Sequence, residues 1–140
     1  MTPAQIRLVQ ASHAEVVTLG ATAAEVFYTH LFVLDPSLKP MFRSDLAAQG
    51  KKLLQALNFV ATQLHQPERI LPAVRELGLR HVAYGVQPEH YVTVGAALIA
   101  TLAQALGERF DLATRQAWTE AYGLLSSTMI DAAYPLAESA

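Results

Sequence analysis

Residues 71–88 read Leu71-Pro-Ala-Val-Arg-Glu-Leu-Gly-Leu-Arg-His81 and then Val-Ala-Tyr-Gly-Val-Gln-Pro88, and they contain the most informative residue of the chain, His81. Its first part has the spacing of a short helix with Val74, Leu77 and His81 on one otherwise apolar face. The imidazole therefore points toward a core, where a polar group needs a partner. Two partners remain open. A backbone carbonyl would make His81 an ordinary core histidine, whereas a metal ion would use the commonest metal-binding side chain in proteins.

Composition predicts one domain over residues 1–140. The chain has 140 residues, of which 52% are hydrophobic and 16% charged, so it suits a single core and is not disordered. A net charge of −2 without a basic run gives no sign of a nucleic-acid partner. The absence of cysteine excludes thiolate metal sites and fits a reducing, cytoplasmic location. Residues 1–20 mix polar and apolar side chains and predict neither a signal peptide nor a membrane anchor.

A three-to-four-residue period runs through almost every segment and predicts an all-α fold of about seven helices. Thr2-Pro3-Ala4-Gln5 has the pattern of a capping box, and Asp111 is placed to cap the last helix. Short, proline-marked corners favour helices that cross at large angles over a parallel bundle. The predicted helices begin near Pro3, run from Thr22 to Leu34, from Pro36 to Phe42, from Gln49 to Leu64, from Pro67 to His81, from Glu89 to Leu106, and from Asp111 past Met129.

Four further side chains occupy positions where a plain core would prefer leucine or alanine. Tyr28 interrupts an apolar helix face, which also suits a buried ring whose hydroxyl reaches the surface. Gln49 continues the apolar face of its helix, where a solvated residue at a helix start is the alternative. Phe42 and Tyr91 each begin or end a helix, where either side chain could be a simple packing anchor.

Together with His81, these residues resemble the bacterial single-domain globins and, equally, the haem-binding domain of flavohaemoglobins. The resemblance covers about residues 4–133 and implies a globin fold around one haem b, iron protoporphyrin IX. The motifs that carry it are, in order, Phe27-Tyr28-x-x-Leu31-Phe32-x-x-Asp35-Pro36-x-Leu38-Lys39-x-x-Phe42, Gln49-x-x-x-Leu53-x-x-Ala56-Leu57, Leu71-Pro72-x-Val74 with Arg80-His81, Gly85-Val86-x-Pro88-x-His90-Tyr91-x-x-Val94-Gly95, and Ala117-Trp118-x-x-Ala121-Tyr122-Gly123.

The resemblance implies a role for each matching position. His81 would bind the haem iron, and Tyr91 would hydrogen-bond near its imidazole. On the opposite, distal side, Tyr28 and Gln49 would donate hydrogen bonds to bound dioxygen. Further haem contacts are implied for Phe42, Leu53, Leu57, Arg80, Tyr84, Val86, Val94 and Leu98, with Arg80 and Tyr84 directed at the propionates.

Two features depart from the resembled family. Flavohaemoglobins continue into flavin and nicotinamide domains, whereas this sequence ends at Ala140, so we expect a single globin domain without a reductase domain. The family also often pairs the proximal tyrosine with an acid late in the last helix. Here that neighbourhood reads Ala132-Ala133-Tyr134-Pro135, and the nearest acids are Asp131 and Glu138.

Three functions follow from these residues. The first is a haem protein that reversibly binds dioxygen, nitric oxide and carbon monoxide, for oxygen transport or storage. The second is a nitric oxide dioxygenase that works with a separate reductase. The third is a non-haem, globin-like module for signalling or for binding a partner, but such a module has no need of His81, Tyr28 and Gln49, which this chain keeps. A gas sensor that acts through a separate partner also remains open.

Overall fold

A computed structural model of the chain describes residues 1–42, 45–83 and 86–134. Across these ranges the chain forms six α-helices and three short 3-10 helices, and it forms no strand. The predicted all-α fold is confirmed, with the element predicted from Pro36 present as a 3-10 helix. The α-helices are α1 (Pro3–Val16), α2 (Ala21–Leu34), α3 (Leu46–Thr62), α4 (Pro67–Ala83), α5 (Pro88–Leu106) and α6 (Leu112–Ala133), and the 3-10 helices are Val17–Leu19, Pro36–Met41 and Gly107–Arg109.

Side-chain caps set the starts of several helices. At α1 the Gln5 amide donates to the Thr2 hydroxyl at 3.1 Å, and the Thr2 amide donates to the Gln5 side-chain oxygen at 2.9 Å. This is the predicted capping box. The Asp111 carboxylate caps α6 by accepting from the Thr114 amide at 2.8 Å, and these hydrogen bonds lower the pKa of Asp111. Asp45 caps α3 in the same manner, which the sequence analysis did not anticipate.

The first corner turns sharply at Gly20. The segment Pro3–Leu19 and helix α2 meet there at 100°. Gly20 has a φ of +52°, a backbone conformation that residues with a Cβ rarely adopt. The corner is sharp, as predicted for the proline-marked corners of the chain, but a glycine makes this turn.

Helix α5 is the central helix of the core. It packs on α2 and on α6, and the segment Pro88–Arg109 is long and apolar enough to cross a membrane by length and composition. Its apolar side chains are used here for packing, since Ala97 and Leu102 are almost wholly buried. The other buried residues of α5 are Tyr91, Gly95, Leu98, Thr101 and Leu106.

Helices α4 and α6 cross at very close range. A Cβ atom at Gly78 of α4 would lie 2.4 Å from the backbone oxygen of Met129 in α6. Only a residue without a side chain fits between the two backbones. Because Gly78 lies three residues before His81, this crossing holds the end of α4 firmly against α6.

Candidate functional site

Helices α3 and α4 follow each other in the chain but have little direct contact, and we call the space between them the crevice. Within the described ranges, α4 packs chiefly on α6 and α3 packs on α1 and α2, whereas α3 and α4 have at most weak contact with each other. Leu53 and Leu57 of α3 and Val94 of α5 are apolar but only half-buried. These side chains therefore leave apolar surface that a bound group would cover.

His81 lies near the end of α4 with a half-buried ring. Its Nδ1 atom is 2.7 Å from the carbonyl oxygen of Leu77, one turn earlier. A carbonyl only accepts hydrogen bonds, so Nδ1 must carry the proton, and Nε2 of the neutral ring then carries the lone pair. A hydrogen bond to a backbone carbonyl and a bond to a metal ion can therefore coexist at His81. The backbone carbonyl uses Nδ1 and leaves Nε2 as the nitrogen chemically able to bind a metal.

Tyr91 lies beside His81, with ring centroids 6.5 Å apart. Its hydroxyl is buried and has no hydrogen-bond partner among the described residues, so the bond implied by the resemblance is not formed there. Burial raises the pKa of Tyr91, and nearby Tyr134 raises it further, which keeps the hydroxyl protonated. A buried donor without an acceptor is costly, and native proteins keep few of them.

Tyr122 of α6 fixes the start of α5. Its hydroxyl donates to the backbone carbonyl of Tyr91 at 2.5 Å. A Cβ atom at Gly95 would lie 2.6 Å from the Tyr122 ring, so glycine is required for the ring to reach across. Burial raises the pKa of Tyr122 above its ordinary value, and Tyr91 adds to that shift. Tyr122 therefore acts as a neutral hydrogen-bond donor that holds the backbone of Tyr91.

Tyr28 of α2 lies in an aromatic cluster. Its ring stacks on Phe32 with centroids 6.0 Å apart and meets Phe42 edge-on at 5.3 Å. The residue is buried. Burial raises the pKa of Tyr28, so the phenol keeps its proton. These contacts place Phe42 beside Tyr28.

Gln49 lies in the first turn of α3, close to Tyr28. Its neighbour Gly50 sits where α3 crosses α2, because a Cβ atom at Gly50 would lie 2.8 Å from that of Ala24 and 3.7 Å from the Tyr28 ring. Gln49 itself is half-buried and belongs to the same helical turn. The crossing therefore brings the two predicted distal residues to one region.

The predicted apolar contacts fall into the same part of the molecule. Leu53, Leu57 and Leu98 line one cavity, and Leu57 and Leu98 also line a second cavity with Tyr122. Val86 and Val94 are half-buried and pack against the core. Apolar side chains from α3 and α5 thus meet at these two cavities.

The two residues predicted to bind propionates are placed differently. Arg80 forms an exposed salt bridge with Glu76 at 2.6 Å, one turn away on α4. Such a pair is weak and can be exchanged for another anion. Tyr84 lies outside the described residues. The propionate role of both side chains stays a prediction.

Four other histidines make local structural contacts, as expected for side chains without a site role. His13 is buried, with Nε2 at 3.2 Å from the Asn58 side-chain oxygen. His30 pairs with Gln104 at 2.9 Å, and His65 lies 3.4 Å from Gln10. His90 accepts a hydrogen bond from the Gln87 amide and caps α5, so it is more than the solvated residue that the sequence suggested.

The assembled residues fit a flat, largely apolar, metal-bearing group. The half-buried leucines of α3 would supply apolar walls, and His81 would offer one ring nitrogen in a defined tautomer. Tyr28 supplies a protonated hydroxyl in the region of Gln49. One axial ligand and a separate hydrogen-bond donor are what a metal needs to bind a small polar molecule in a dry pocket.

One contact near His81 was missed by the sequence analysis. The Tyr134 hydroxyl donates a hydrogen bond to the backbone carbonyl of Val86. The sequence marked this neighbourhood only because the acid that the resembled family often has late in the last helix is absent from it. A bond to a backbone carbonyl 48 residues away leaves no spacing signal in the chain.

Comparisons with known proteins agree with this arrangement. The family model described as Globin matches residues 25–129. The chain is 34% identical over 114 residues to a flavohemoprotein of Chromobacterium violaceum, covering 79% of the chain and 28% of that protein. It is 30% identical over 133 residues to a flavohemoprotein of Bordetella parapertussis, covering 93% of the chain and 33% of that protein. The chain therefore spans about a third of the length of these relatives.

A solved structure gives the same result over the whole fold. The chain matches the structure of a bacterial globin from Campylobacter jejuni with a TM-score of 0.83 and 29% sequence identity. The match covers 98% of this chain and 99% of that one. The likeness therefore includes α1 and the loops as well as the helices that carry the site.

Proposed function

The chain belongs to the globin family, and from that premise we propose that it is a haem protein that reversibly binds dioxygen and other diatomic gases. The observation that supports the proposal is the arrangement of His81, whose Nδ1 lies at hydrogen-bond distance from the Leu77 carbonyl, so that Nε2 would be the ligating atom. Haem b would supply a ferrous iron able to take a diatomic ligand. The site residues determine how firmly and how selectively that ligand is held.

Each side of the pocket has a separate task. His81 would hold the iron, while Leu53, Leu57 and Leu98 would surround the ring with apolar atoms and exclude water. Phe42, packed edge-on against Tyr28, would wedge the ring in place. Dioxygen draws negative charge from ferrous iron, and the Tyr28 phenol would donate a hydrogen bond to that charge in a pocket of low dielectric.

The ligand assignment is tested by replacing His81. We expect His81→Gly to lose tightly held haem and the Soret absorption of the wild-type protein, and added imidazole to restore both by filling the vacated space. His65→Ala is the matched control, because His65 is exposed and lies at the end of α3. Haem retention in His81→Gly without imidazole would contradict the assignment.

A second function, nitric oxide dioxygenase activity, is favoured by the flavohemoprotein relatives. We propose that a separate reductase would return the iron to the ferrous state, and the chain matches about a third of each of these relatives. A cysteine-free chain suits a reducing cytoplasm, where such reductases and nitric oxide meet.

The two functions are separated by turnover. The oxygenated protein is mixed anaerobically with nitric oxide in a stopped-flow instrument, and nitrate is then measured over many cycles with a cellular reductase present. One nitrate per haem without further turnover supports gas binding as the function. Sustained nitrate production that depends on the reductase supports the dioxygenase.

A further inference from the structure

The end of α4 is closed by a hydrogen bond at the proposed iron ligand. The Val86 amide donates to the carbonyl of His81 at 3.1 Å. This six-residue bond has the spacing that closes many helix C-termini, and it satisfies one of the last carbonyls of α4. The backbone position of His81 is therefore tied to that of Val86.

Val86 is in turn tied to α6. Its carbonyl accepts the hydrogen bond from the Tyr134 hydroxyl. Tyr134 directly follows α6, and its own amide donates to the carbonyl of Ile130 at 2.7 Å. One side chain thus connects the end of α6 to the cap of α4.

A second connection between the same two helices lies on the other side of His81. Gly78 is in backbone contact with Met129, so close that a Cβ atom there would lie 2.4 Å from the Met129 carbonyl. α6 consequently supports α4 at two points, three residues before His81 and five residues after it. A helix end supported on both sides of a residue cannot rotate or shift that residue independently.

The His81 ring also has contacts of its own. The Leu77 carbonyl fixes the ring tautomer, and the Tyr91 ring lies beside the imidazole with centroids 6.5 Å apart. The backbone support from α6 adds a restraint on where the imidazole stands, because it holds the residue to which the ring is attached.

We propose that Tyr134 is a positioning residue for the proximal bond, holding His81 through Val86 so that its Nε2 meets the haem iron at a set distance and angle. The proposal rests on the proposed haem function of His81. Tyr134 would thus act on His81 through the backbone of Val86 and would not contact the imidazole itself.

Tyr134→Phe tests the proposal because it removes only the hydroxyl. Two measurements are made on the protein as purified: hydrogen exchange of the Val86 amide by NMR, and the iron–histidine stretching band of the ferrous, ligand-free form by resonance Raman spectroscopy. We expect Val86 exchange to become about two- to tenfold faster, the size of one lost hydrogen bond. We also expect the iron–histidine band to broaden and move to lower frequency.

Thr119→Val is the matched control. It also removes one hydroxyl of α6 from a backbone carbonyl, but that carbonyl belongs to Arg115 within the same helix. We expect Thr119→Val to leave Val86 exchange and the iron–histidine band as in the wild type. If Tyr134→Phe behaves like this control, Tyr134 is only a structural residue and the proposal is wrong.

The measurements also separate this proposal from the proposed function. A wild-type protein that takes up no haem would contradict the proposed haem function, whereas Val86 exchange would still test the Tyr134 bond. A wild-type protein with an ordinary iron–histidine band that Tyr134→Phe leaves unchanged would overturn the positioning role and leave the haem function intact.

Discussion

The tyrosines of this protein show how the same side chain serves different tasks according to what its hydroxyl meets. Tyr122 and Tyr134 donate to backbone carbonyls and hold segments in place. Tyr28 is buried among phenylalanine rings with a raised pKa, so its proton is available to a ligand. Tyr91 is buried with no hydrogen-bond partner among the described residues. At the scale of residues, a tyrosine can therefore serve a ligand only where its hydroxyl is not already bonded to the protein backbone.

Removing the hydroxyl of Tyr28 should weaken oxygen binding selectively. Tyr28→Phe keeps the ring packed against Phe32 and Phe42 but loses the donor. One hydrogen bond to a partly charged acceptor corresponds to dioxygen release about ten- to a hundredfold faster. The rate is measured by stopped-flow displacement of dioxygen with carbon monoxide. Carbon monoxide carries less charge, so its own release serves as the internal control, and an unchanged dioxygen rate would show that Tyr28 is not the donor.

At the scale of helices, glycine is required at one position and is unfavourable at another. Gly78→Ala should destabilise the protein by about 3 kcal/mol, because the new Cβ atom would overlap the Met129 backbone. Gly123→Ala is the control, since Gly123 lies within α6 with open space around its Cα. Alanine there should stabilise by about 0.5–1 kcal/mol. Urea denaturation of both variants provides the measurement, and equal effects at the two sites would contradict the close helix crossing.

The cap of α6 should give part of the stability a defined pH dependence. The pKa of Asp111 is lowered below its ordinary value of 3.8 by hydrogen bonds from Thr114. The unfolded chain therefore takes up the proton first as the pH falls, and this contribution to stability is lost below about pH 4. Asp111→Asn keeps a capping side chain without a charge. We expect thermal unfolding of the Asn variant to match the wild type near pH 7 and to fall less steeply in acid.

At the scale of the whole molecule, the crevice between α3 and α4 makes stability depend on what fills it. The helices on its two sides have little direct contact, so bound haem would supply the packing that joins them. At a haem concentration a hundredfold above the dissociation constant, binding adds about 2.7 kcal/mol, a rise in Tm on the order of 10 °C. Differential scanning calorimetry of haem-free and haem-loaded protein measures the rise. Equal Tm values would mean that α3 and α4 are held together without the cofactor.

The sequence predicted more of the helices than of the contacts between them. Period and capping signals placed α1, α2, α5 and α6, because those signals arise from residues close together in the chain. The aromatic and polar residues on apolar faces predicted the site region. The Tyr134–Val86 bond and the crossing at Gly78 were not predictable, because each has a backbone atom as its partner and so leaves no mark on the partner's side chain.

The chain contains one tryptophan, and its position makes it an optical reporter. Trp118 is buried, donates to the Ser12 hydroxyl at 2.8 Å, and lines both cavities that Leu57 and Leu98 border. Its emission therefore comes from a single, defined place in the core. A porphyrin that entered the crevice would absorb that emission by energy transfer, so the loading of each molecule can be followed as quenching in real time, without a label.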